Sequence, residues 1–449
     1  MAGKNYYKKI LTDSDFNKFT SAQSALESSD NSALAVTTAY IVAPVLFDYV
    51  NWVICKAVQQ GVKRLFFLAR DGFILYKIAL LIKNKRNIDI DCRFLYISRY
   101  ASRIPLYGLL GNACWDIICE KKKRTTLRTV LRNITLVPEE QDFLISLLGN
   151  DLTFSPDEPL DIEKLCKLKD DFRRTQKIMD FINQRSEETR KLILLYLEQE
   201  GVLDTIDSAF VDVGWRGTIQ SSLNKLTGKT FRGFYFGLYE TDVFGLDICN
   251  ASSYLFSSIN ESSFVRHSFN NSLFEVFCAA PYGMTTGYKE ADGEIIPVFE
   301  HEYNKNASNW NLNGQIQTIL AYTEAYLEAN PVSSPDKKMT ERLLRKLMEK
   351  PSFEEANLYG DFLFSDETDE ELLVRLAPPF DARTIVYRSF VPNKLWHKLF
   401  AMFRIPVKNT DTFWMQGSLA RSKTLKILRA WYRFYNYYHT FRKYLKKGN

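Results

Sequence analysis

The sequence lacks the cysteine and histidine patterns that mark zinc sites and disulfide scaffolds. Its seven cysteines are scattered and odd in number, no pair has CxxC spacing, and no histidine lies at the spacing of a zinc ligand. The segment from Met1 to Phe16 also lacks the apolar region of an export signal. These absences predict reduced thiols in a cytoplasmic protein.

Long hydrophobic runs are scarce as well. The longest, from Ala33 to Phe47, contains Pro44 and is followed by Asp48 and Asn51. It is too short and too interrupted to span a bilayer, so a buried helix is expected instead. Since hydrophobic residues still make up 46% of the 449 residues, the chain can bury a large core, and its length predicts two or three domains.

Most of the chain shows no excess of either charge sign. Basic and acidic residues are mixed, the net charge is only +6, and the basic residues form no stripe through the predicted core. Nucleic acid is therefore not an expected partner.

Short apolar runs predict the strands of an α/β core. The first two are separated by about twenty residues, which include a helical pattern from Phe73 to Lys83, and this is the spacing of a crossover between parallel strands. The predicted strands are Arg64 to Ala69, Arg93 to Ser98, Ser208 to Val213 and Phe231 to Leu238. The expected fold class is α/β, with a parallel-sheet core, a helical insertion and an α-rich C-terminal region.

Changes in composition divide the chain into six predicted segments. These are a loosely held polar lead-in (1–32), the first part of the α/β core (33–104), a helical insertion (105–200), the second part of the core (201–240), an α-rich region (241–400) and a basic amphipathic segment (401–449).

A candidate phosphate loop follows the third predicted strand. The strand carries Asp212 near its end, two glycines and a hydroxyl follow, and a helical pattern begins. Backbone N–H groups of such a loop and of the first helical turn favour a phosphate. The loop residues are Gly214, Trp215, Arg216, Gly217 and Thr218. An ordinary strand-to-helix turn explains the glycines alone, but the complete pattern favours phosphate binding.

Charged residues also follow the first two predicted strands. Arg70, Asp71 and Gly72 end the first, and Ser98, Arg99 and Arg103 end or follow the second. Because parallel strands deliver their carboxyl ends to one sheet edge, three arginines should converge there. Such a cluster suits a polyphosphate, and Asp71 among the arginines suits a metal that bridges the phosphate groups.

This succession of motifs resembles the type I phosphoribosyltransferases. The usual acidic pair of that family is here Val211-Asp212, and its Thr-Thr-Gly is Trp215-Arg216-Gly217. The motifs Phe-Leu-Ala-Arg-Asp-Gly and Asp-Val-Gly-Trp-x-Gly-Thr are also similar to those of bacterial polysaccharide-biosynthesis proteins that are often fused to a haloacid-dehalogenase (HAD)-type phosphatase. That likeness covers residues 33 to 288.

The resemblance implies a glycan phosphoribosyltransferase. Such an enzyme transfers ribofuranose 5-phosphate from phosphoribosyl diphosphate (PRPP) to a lipid-linked glycan acceptor, and a separate HAD-type phosphatase then removes the 5-phosphate. The implied catalytic residues are Asp71 and Asp212, with Mg²⁺ at Asp71. The residues from Phe274 to Tyr288 resemble a family block, in which Glu275 and Tyr288 are candidates for the acceptor side.

Other functions remain as alternatives. A HAD-type phosphatase is disfavoured because Ala69 stands where that mechanism needs a nucleophilic aspartate. A nucleotide-sugar glycosyltransferase could use Asp89 and Asp91 as a metal-binding pair. A non-catalytic PRPP-binding regulatory protein would retain the basic residues and would tolerate loss of Asp71 and Asp212.

The segment from Arg421 to Lys447 has apolar and basic residues at helical spacing. One face would carry the apolar residues Leu425, Leu428, Trp431, Tyr435, Tyr438, Phe441 and Leu445. Such a stripe packs on the protein core or lies on an anionic membrane surface. In the second case the protein would be peripheral to the inner face of the plasma membrane.

Overall fold

The chain folds around a five-stranded parallel sheet, which confirms the predicted α/β class. The computed structural model describes residues 2–121, 125–149, 154–239, 250–257, 260, 262–364, 373–389 and 412–423, with single positions between 426 and 438. The strand order in the sheet is β2-β1-β3-β4-β5. The strands are β1 (Arg64–Leu68), β2 (Asp91–Leu95), β3 (Ser208–Trp215), β4 (Arg232–Leu238) and β5 (Ala251–Phe256).

Strand β1 is the point at which the order of the sheet reverses. Phe67 lies beside Phe94 of β2 on one side and beside Val211 of β3 on the other, and all strands run in parallel. The carboxyl ends of β1 and β3 therefore border the crevice where open parallel sheets bind ligands.

Helices surround the sheet and build most of the remaining structure. Before and beside β1 and β2 they are α1 (Ala2–Ser14), α2 (Phe16–Glu27), α3 (Ala33–Thr37), a π-helical turn (Thr38–Val42), α4 (Ala43–Gln59) and α5 (Gly72–Lys85). Between β2 and β3 they are α6 (Arg99–Arg103), α7 (Tyr107–Leu110), α8 (Cys114–Ile118), α9 (Leu127–Leu131), α10 (Pro138–Leu148), α11 (Ile162–Arg174) and α12 (Gln176–Gln199), with 3₁₀ turns at Ile104–Leu106 and Gly111–Ala113.

Helices and short strands also build the second half of the chain. The helices are α13 (Thr218–Thr227), α14 (Ser263–His267), α15 (Asn271–Phe277), α16 (Leu312–Ala329), α17 (Lys337–Glu349), α18 (Phe353–Gly360), α19 (Ala382–Ser389) and a last one at Met415–Arg421. Two antiparallel hairpins pair β6 (Thr285–Ala291) with β7 (Glu294–Phe299) and β8 (Leu363–Phe364) with β9 (Val374–Arg375).

The first 32 residues are packed against the body, contrary to the expectation of a loosely held lead-in. Tyr7 and Leu11 of α1 are buried. Lys18 of α2 and Asp48 of α4 form an ion pair at 2.8 Å with both side chains almost fully buried. The polar composition of residues 1–32 did not indicate this packing, because only one face of each short helix is apolar.

The apolar segment that begins at Ala33 forms a buried helix, as predicted. In the described part of the chain, Ala33–Gln59 is the one helix long and apolar enough to cross a membrane, and 89% of its apolar window is buried inside the protein. Its Tyr49 hydroxyl donates to the carbonyl oxygens of Asp212 and Phe234, at 2.6 and 3.0 Å. This helix therefore supports the strands that carry the candidate site.

The helices between β2 and β3 have a hydrophobic core of their own, separate from the cores beside the sheet. Trp115 of α8 stacks on Phe172 of α11 at its centre, with 5.0 Å between ring centroids. Beyond β4 the expected helices are present as α16 and α17, whereas β5 and the β6–β7 hairpin were not predicted. Residues 401–411 and most of 424–449 lie outside the described residues.

Candidate active site at the carboxyl ends of β1 and β3

The turn after β1 brings charged residues to the sheet edge. Arg70 and Asp71 lie between β1 and α5, and the peptide bond between Ala69 and Arg70 is cis. Asp71 occupies the N-cap position of α5, yet its side chain makes no capping hydrogen bond there. A Cβ on Gly72 would lie 2.9 Å from the carbonyl carbon of Phe67, so close packing of the turn on β1 requires glycine.

Strand β3 extends further than predicted and shortens the candidate phosphate loop. Gly214 and Trp215 continue the strand and pair with Gly237 and Leu238 of β4. A Cβ on Gly214 would lie 2.1 Å from the Gly237 carbonyl oxygen, so the first glycine of the motif serves strand packing. Gly214 and Trp215 therefore belong to the strand, and the phosphate contacts expected for them are not supported. The loop between β3 and α13 consists of Arg216 and Gly217.

Helix α13 begins directly after this loop. Gly217 is its N-cap, with a left-handed backbone at φ 65°, and no side chain of the described residues caps the helix start. Thr218, the first helical residue, is buried. Because the first turn of a helix presents unpaired N–H groups and a partial positive charge, this end of α13 can hold a phosphate.

Two carboxylates near the crevice have strongly altered acidity. Burial, and then repulsion by Asp212, raise the pKa of Asp71 to about 7. Burial also raises the pKa of Asp212 to about 7, with a further contribution from Glu275 and against a hydrogen bond from the Val213 N–H at 2.8 Å. Ionisation of these two carboxyl groups is therefore unfavourable in the empty site, and a cationic ligand would make it more favourable.

Two arginines face these carboxylates. Arg99, the exposed first residue of α6, lowers the pKa of both Asp71 and Asp212, and Arg70 lowers that of Asp71. Four of the residues predicted from strand ends, Arg70, Asp71, Arg99 and Asp212, are thus close enough to interact. They provide positive charge for an anionic substrate beside acids suited to a metal or a sugar.

The other predicted basic and hydroxyl residues have structural partners. Ser98 caps α6 by accepting from the Ala101 N–H at 3.0 Å and donates to the Thr285 carbonyl at 2.6 Å, so it is not available to pyrophosphate. Arg103 lies 3.8 Å and Arg216 lies 3.3 Å from different oxygens of Glu120. A carboxylate from the insertion thus stands between a basic residue of α6 and one of the phosphate loop.

The structure places only one of the two acceptor-side candidates at the site. Glu275 accepts a hydrogen bond from the Trp215 indole N–H at 2.7 Å and acts on the pKa of Asp212, so it belongs to the site. Tyr288 does not, because its buried ring stacks on Tyr196 and its hydroxyl donates to the Tyr96 carbonyl at 2.8 Å. The acceptor role expected for Tyr288 is therefore corrected to a packing role.

Three residues near the crevice were not anticipated from the sequence. Tyr49 supports Asp212 from α4 through the hydrogen bonds described above. Cys278 is fully buried, and burial followed by the Asp71 carboxylate raises the pKa of its thiol, which argues against a nucleophilic role. The buried Tyr282 hydroxyl lacks a hydrogen-bond partner among the described residues; burial raises its pKa, while the nearby Arg70 lowers it and Asp71 raises it further.

The described residues include no group of three or more His, Cys, Asp or Glu side chains that could hold a metal ion. Asp71 remains the predicted ligand, and its repulsion by Asp212 favours a cation. This donor set fits Mg²⁺ that arrives with a polyphosphate, since Mg²⁺ commonly takes one or two protein carboxylates and completes its shell with phosphate oxygens and water.

The alternative metal-binding pair lies at the other end of the sheet. Asp91 is the first residue of β2, and its carboxylate accepts from the Nε of Arg64 at 2.7 Å and of Arg93 at 2.8 Å. Asp89 is exposed on the approach to that strand. This placement gives no support to a sugar-nucleotide transferase that uses Asp89 and Asp91 at the crevice.

Replacement of Asp71 by asparagine is expected to stabilise the ligand-free protein at pH 8. The pKa of Asp71 is about 7 in the folded chain against an ordinary value of 3.8, so the folded state binds more protons than the unfolded state between these values. Stability conferred by the neutral acid is therefore lost as the pH rises from about 4 to 7. We expect Asp71→Asn to gain about 1 kcal/mol or more at pH 8.

Urea unfolding at pH 4 and pH 8 measures this gain, which should be much smaller at the lower pH. Asp89→Asn, at an exposed position, is the matched control and should show no such pH-dependent gain. A variant at position 71 that is less stable than the wild type at pH 8 would show that the carboxylate is compensated in the folded chain.

Comparison with known proteins gives no independent assignment. No protein-family model matches the chain, and no curated protein matches it.

Proposed function

We propose that the protein is a PRPP-dependent phosphoribosyltransferase that transfers ribofuranose 5-phosphate to a lipid-linked glycan. The observation that supports this most is the meeting of Arg70, Arg99, Asp71 and Asp212 at the crevice between β1 and β3, next to the uncapped start of α13. This arrangement offers separate places for a pyrophosphate, a sugar and a terminal phosphate. The nature of the acceptor follows from the sequence resemblance.

The substrate would be oriented by the two sheet ends. Arg70 and Arg99 bind the pyrophosphate, and Mg²⁺ at Asp71 would neutralise charge that develops on this leaving group. The N–H groups of Gly217 and Thr218 hold the 5-phosphate. Fixing both ends of the substrate places the anomeric carbon between them. The entropy cost of reaching a reactive geometry is then already met by binding.

Asp212 would act on the sugar itself. Departure of pyrophosphate leaves positive charge on the ribose ring, and a buried carboxylate stabilises such charge far more strongly than water does. With a pKa of about 7, Asp212 is only partly ionised in the empty site near neutral pH, and a cationic partner would favour the carboxylate because an opposite charge lowers the pKa. Attack by the acceptor hydroxyl on the opposite face then forms the new C–O bond and inverts the anomeric carbon, and Asp71 and Glu275 are the candidates to take the hydroxyl proton.

The test is pyrophosphate release by the full chain with PRPP and Mg²⁺, with and without a lipid-linked glycan fraction. We expect release that depends on the acceptor, and an acceptor mass that grows by one phosphoribosyl unit. Binding of PRPP without release in the presence of any acceptor would indicate a regulatory protein instead. Release of nucleotide from a sugar nucleotide, with none from PRPP, would indicate the other transferase class.

A HAD-type phosphatase enters as a consumer of the product. If it is specific for the transferred ribofuranose 5-phosphate, its addition should release inorganic phosphate only after transfer has occurred, because its substrate is absent before that step. The order of additions therefore separates the transfer step from dephosphorylation.

A further inference from the structure

Four large apolar side chains near the end of the sequence are exposed to solvent. The exposed fractions are 74% for Ile427, 49% for Trp431, 65% for Phe434 and 52% for Tyr438. All four positions are helical, and their spacing of four, three and four residues puts them on one helical face. A row of this kind is costly in water and indicates a binding surface.

A residue on the other side of the same helical positions contacts the rest of the protein. Tyr432 is buried and packs with Phe380, Ile385 and Leu419. The exposed row is thus turned away from the body of the protein. Trp431 and Tyr438 belong to the apolar pattern expected from sequence, whereas Ile427 and Phe434 were not part of that pattern.

The charge of this part of the sequence restricts the partner. From position 421 to 449 the sequence has no aspartate or glutamate. Its basic residues are Arg421, Lys423, Lys426, Arg429, Arg433, Arg442, Lys443, Lys446 and Lys447. The exposed row therefore lies within a strongly basic segment.

We propose that the row formed by Ile427, Trp431, Phe434 and Tyr438 docks on an anionic lipid bilayer. Trp and Tyr suit the depth of lipid headgroups, where an apolar ring and a polar tip are both satisfied, and basic residues approach the lipid phosphates. A second copy of the chain is a poorer partner, because two segments of the same positive charge would repel. The proposal does not depend on the transferase chemistry.

Vesicle co-sedimentation of the full chain tests this docking. Phosphatidylcholine vesicles with and without phosphatidylglycerol should separate the anionic contribution, and added salt should release bound protein because it screens that contribution. The variant Trp431→Ser with Phe434→Ser is expected to bind anionic vesicles about tenfold more weakly or worse, since it removes two rings from the docking row.

The matched control is Tyr303→Ser, which removes an exposed aromatic ring elsewhere, 69% exposed, and should bind like the wild type. Circular dichroism and thermal unfolding should show both variants folded, because the replaced rings are exposed. Equal binding of the double variant and the wild type would overturn the proposal. So would a wild type that binds no anionic vesicles, or one that self-associates through this row without binding lipid.

Discussion

Asp212→Asn is expected to lower kcat by about 100- to 1,000-fold while PRPP binding remains measurable, because a preorganised charge in a dry site contributes this much to a transition state. Asparagine keeps the size of the side chain and can still accept the hydrogen bond from the Val213 N–H. The change therefore removes charge with little change in packing. Turnover is measured as pyrophosphate release with acceptor, and affinity by calorimetry.

The pH profile adds a readout that a packing role would not alter. Because the pKa of Asp212 is about 7 in the empty site, kcat/KM of the wild type should rise between pH 6 and 8 as the carboxylate forms. The residual activity of Asp212→Asn should not show this rise in kcat/KM. Asp207→Asn, directly before the same strand, is the control and should turn over normally, since Asp207 pairs with Arg232 at the far end of the sheet. Near-normal turnover of Asp212→Asn would limit Asp212 to a structural role.

Gly217→Val is expected to weaken PRPP binding by about 100-fold or more, because a branched side chain would fill the space where the 5-phosphate meets the start of α13. Valine at a left-handed backbone position also carries a conformational penalty. The same helix offers a matched control for that penalty, since Gly217 has φ 65° and Gly228, directly after its last residue, has φ 68°.

Valine should therefore cost each site about 1 to 2 kcal/mol of backbone strain, and only the Gly217 variant should lose PRPP affinity. Calorimetric titration with PRPP and thermal unfolding of both variants separate binding from stability. If both variants bind PRPP like the wild type, the phosphate site lies elsewhere. If both lose affinity equally, the effect is strain alone.

The central strands β1 and β4 could be predicted because they are buried on both faces. β1 and β4 are nearly continuous apolar runs, as parallel central strands usually are. β5 was not predicted because it is an edge strand that begins Ala251-Ser252-Ser253, where the apolar pattern is weak. Local sequence also left the end of β3 undetermined, since Gly214 and Trp215 continue the strand through pairing with β4.

The convergence of charged residues followed from a simple property of parallel strands. Arg70, Asp71, Arg99 and Asp212 each follow or end a predicted strand, and parallel strands bring such positions to one edge. The partners of Ser98 and Tyr288 could not be predicted in the same way, because each contacts a residue distant in sequence. Their roles depend on how a hairpin packs against the insertion.

The position of the insertion has a consequence for folding order. The contact between β1 and β3 closes a chain segment that contains β2 and all the helices from α5 to α12, and closing a long flexible loop costs entropy before the contact forms. The insertion has its own hydrophobic core, so it can become compact first and shorten the span that must be closed. We therefore expect β3 to dock on β1 late, so that slow-exchanging amides appear in the insertion before they appear in β3 during refolding.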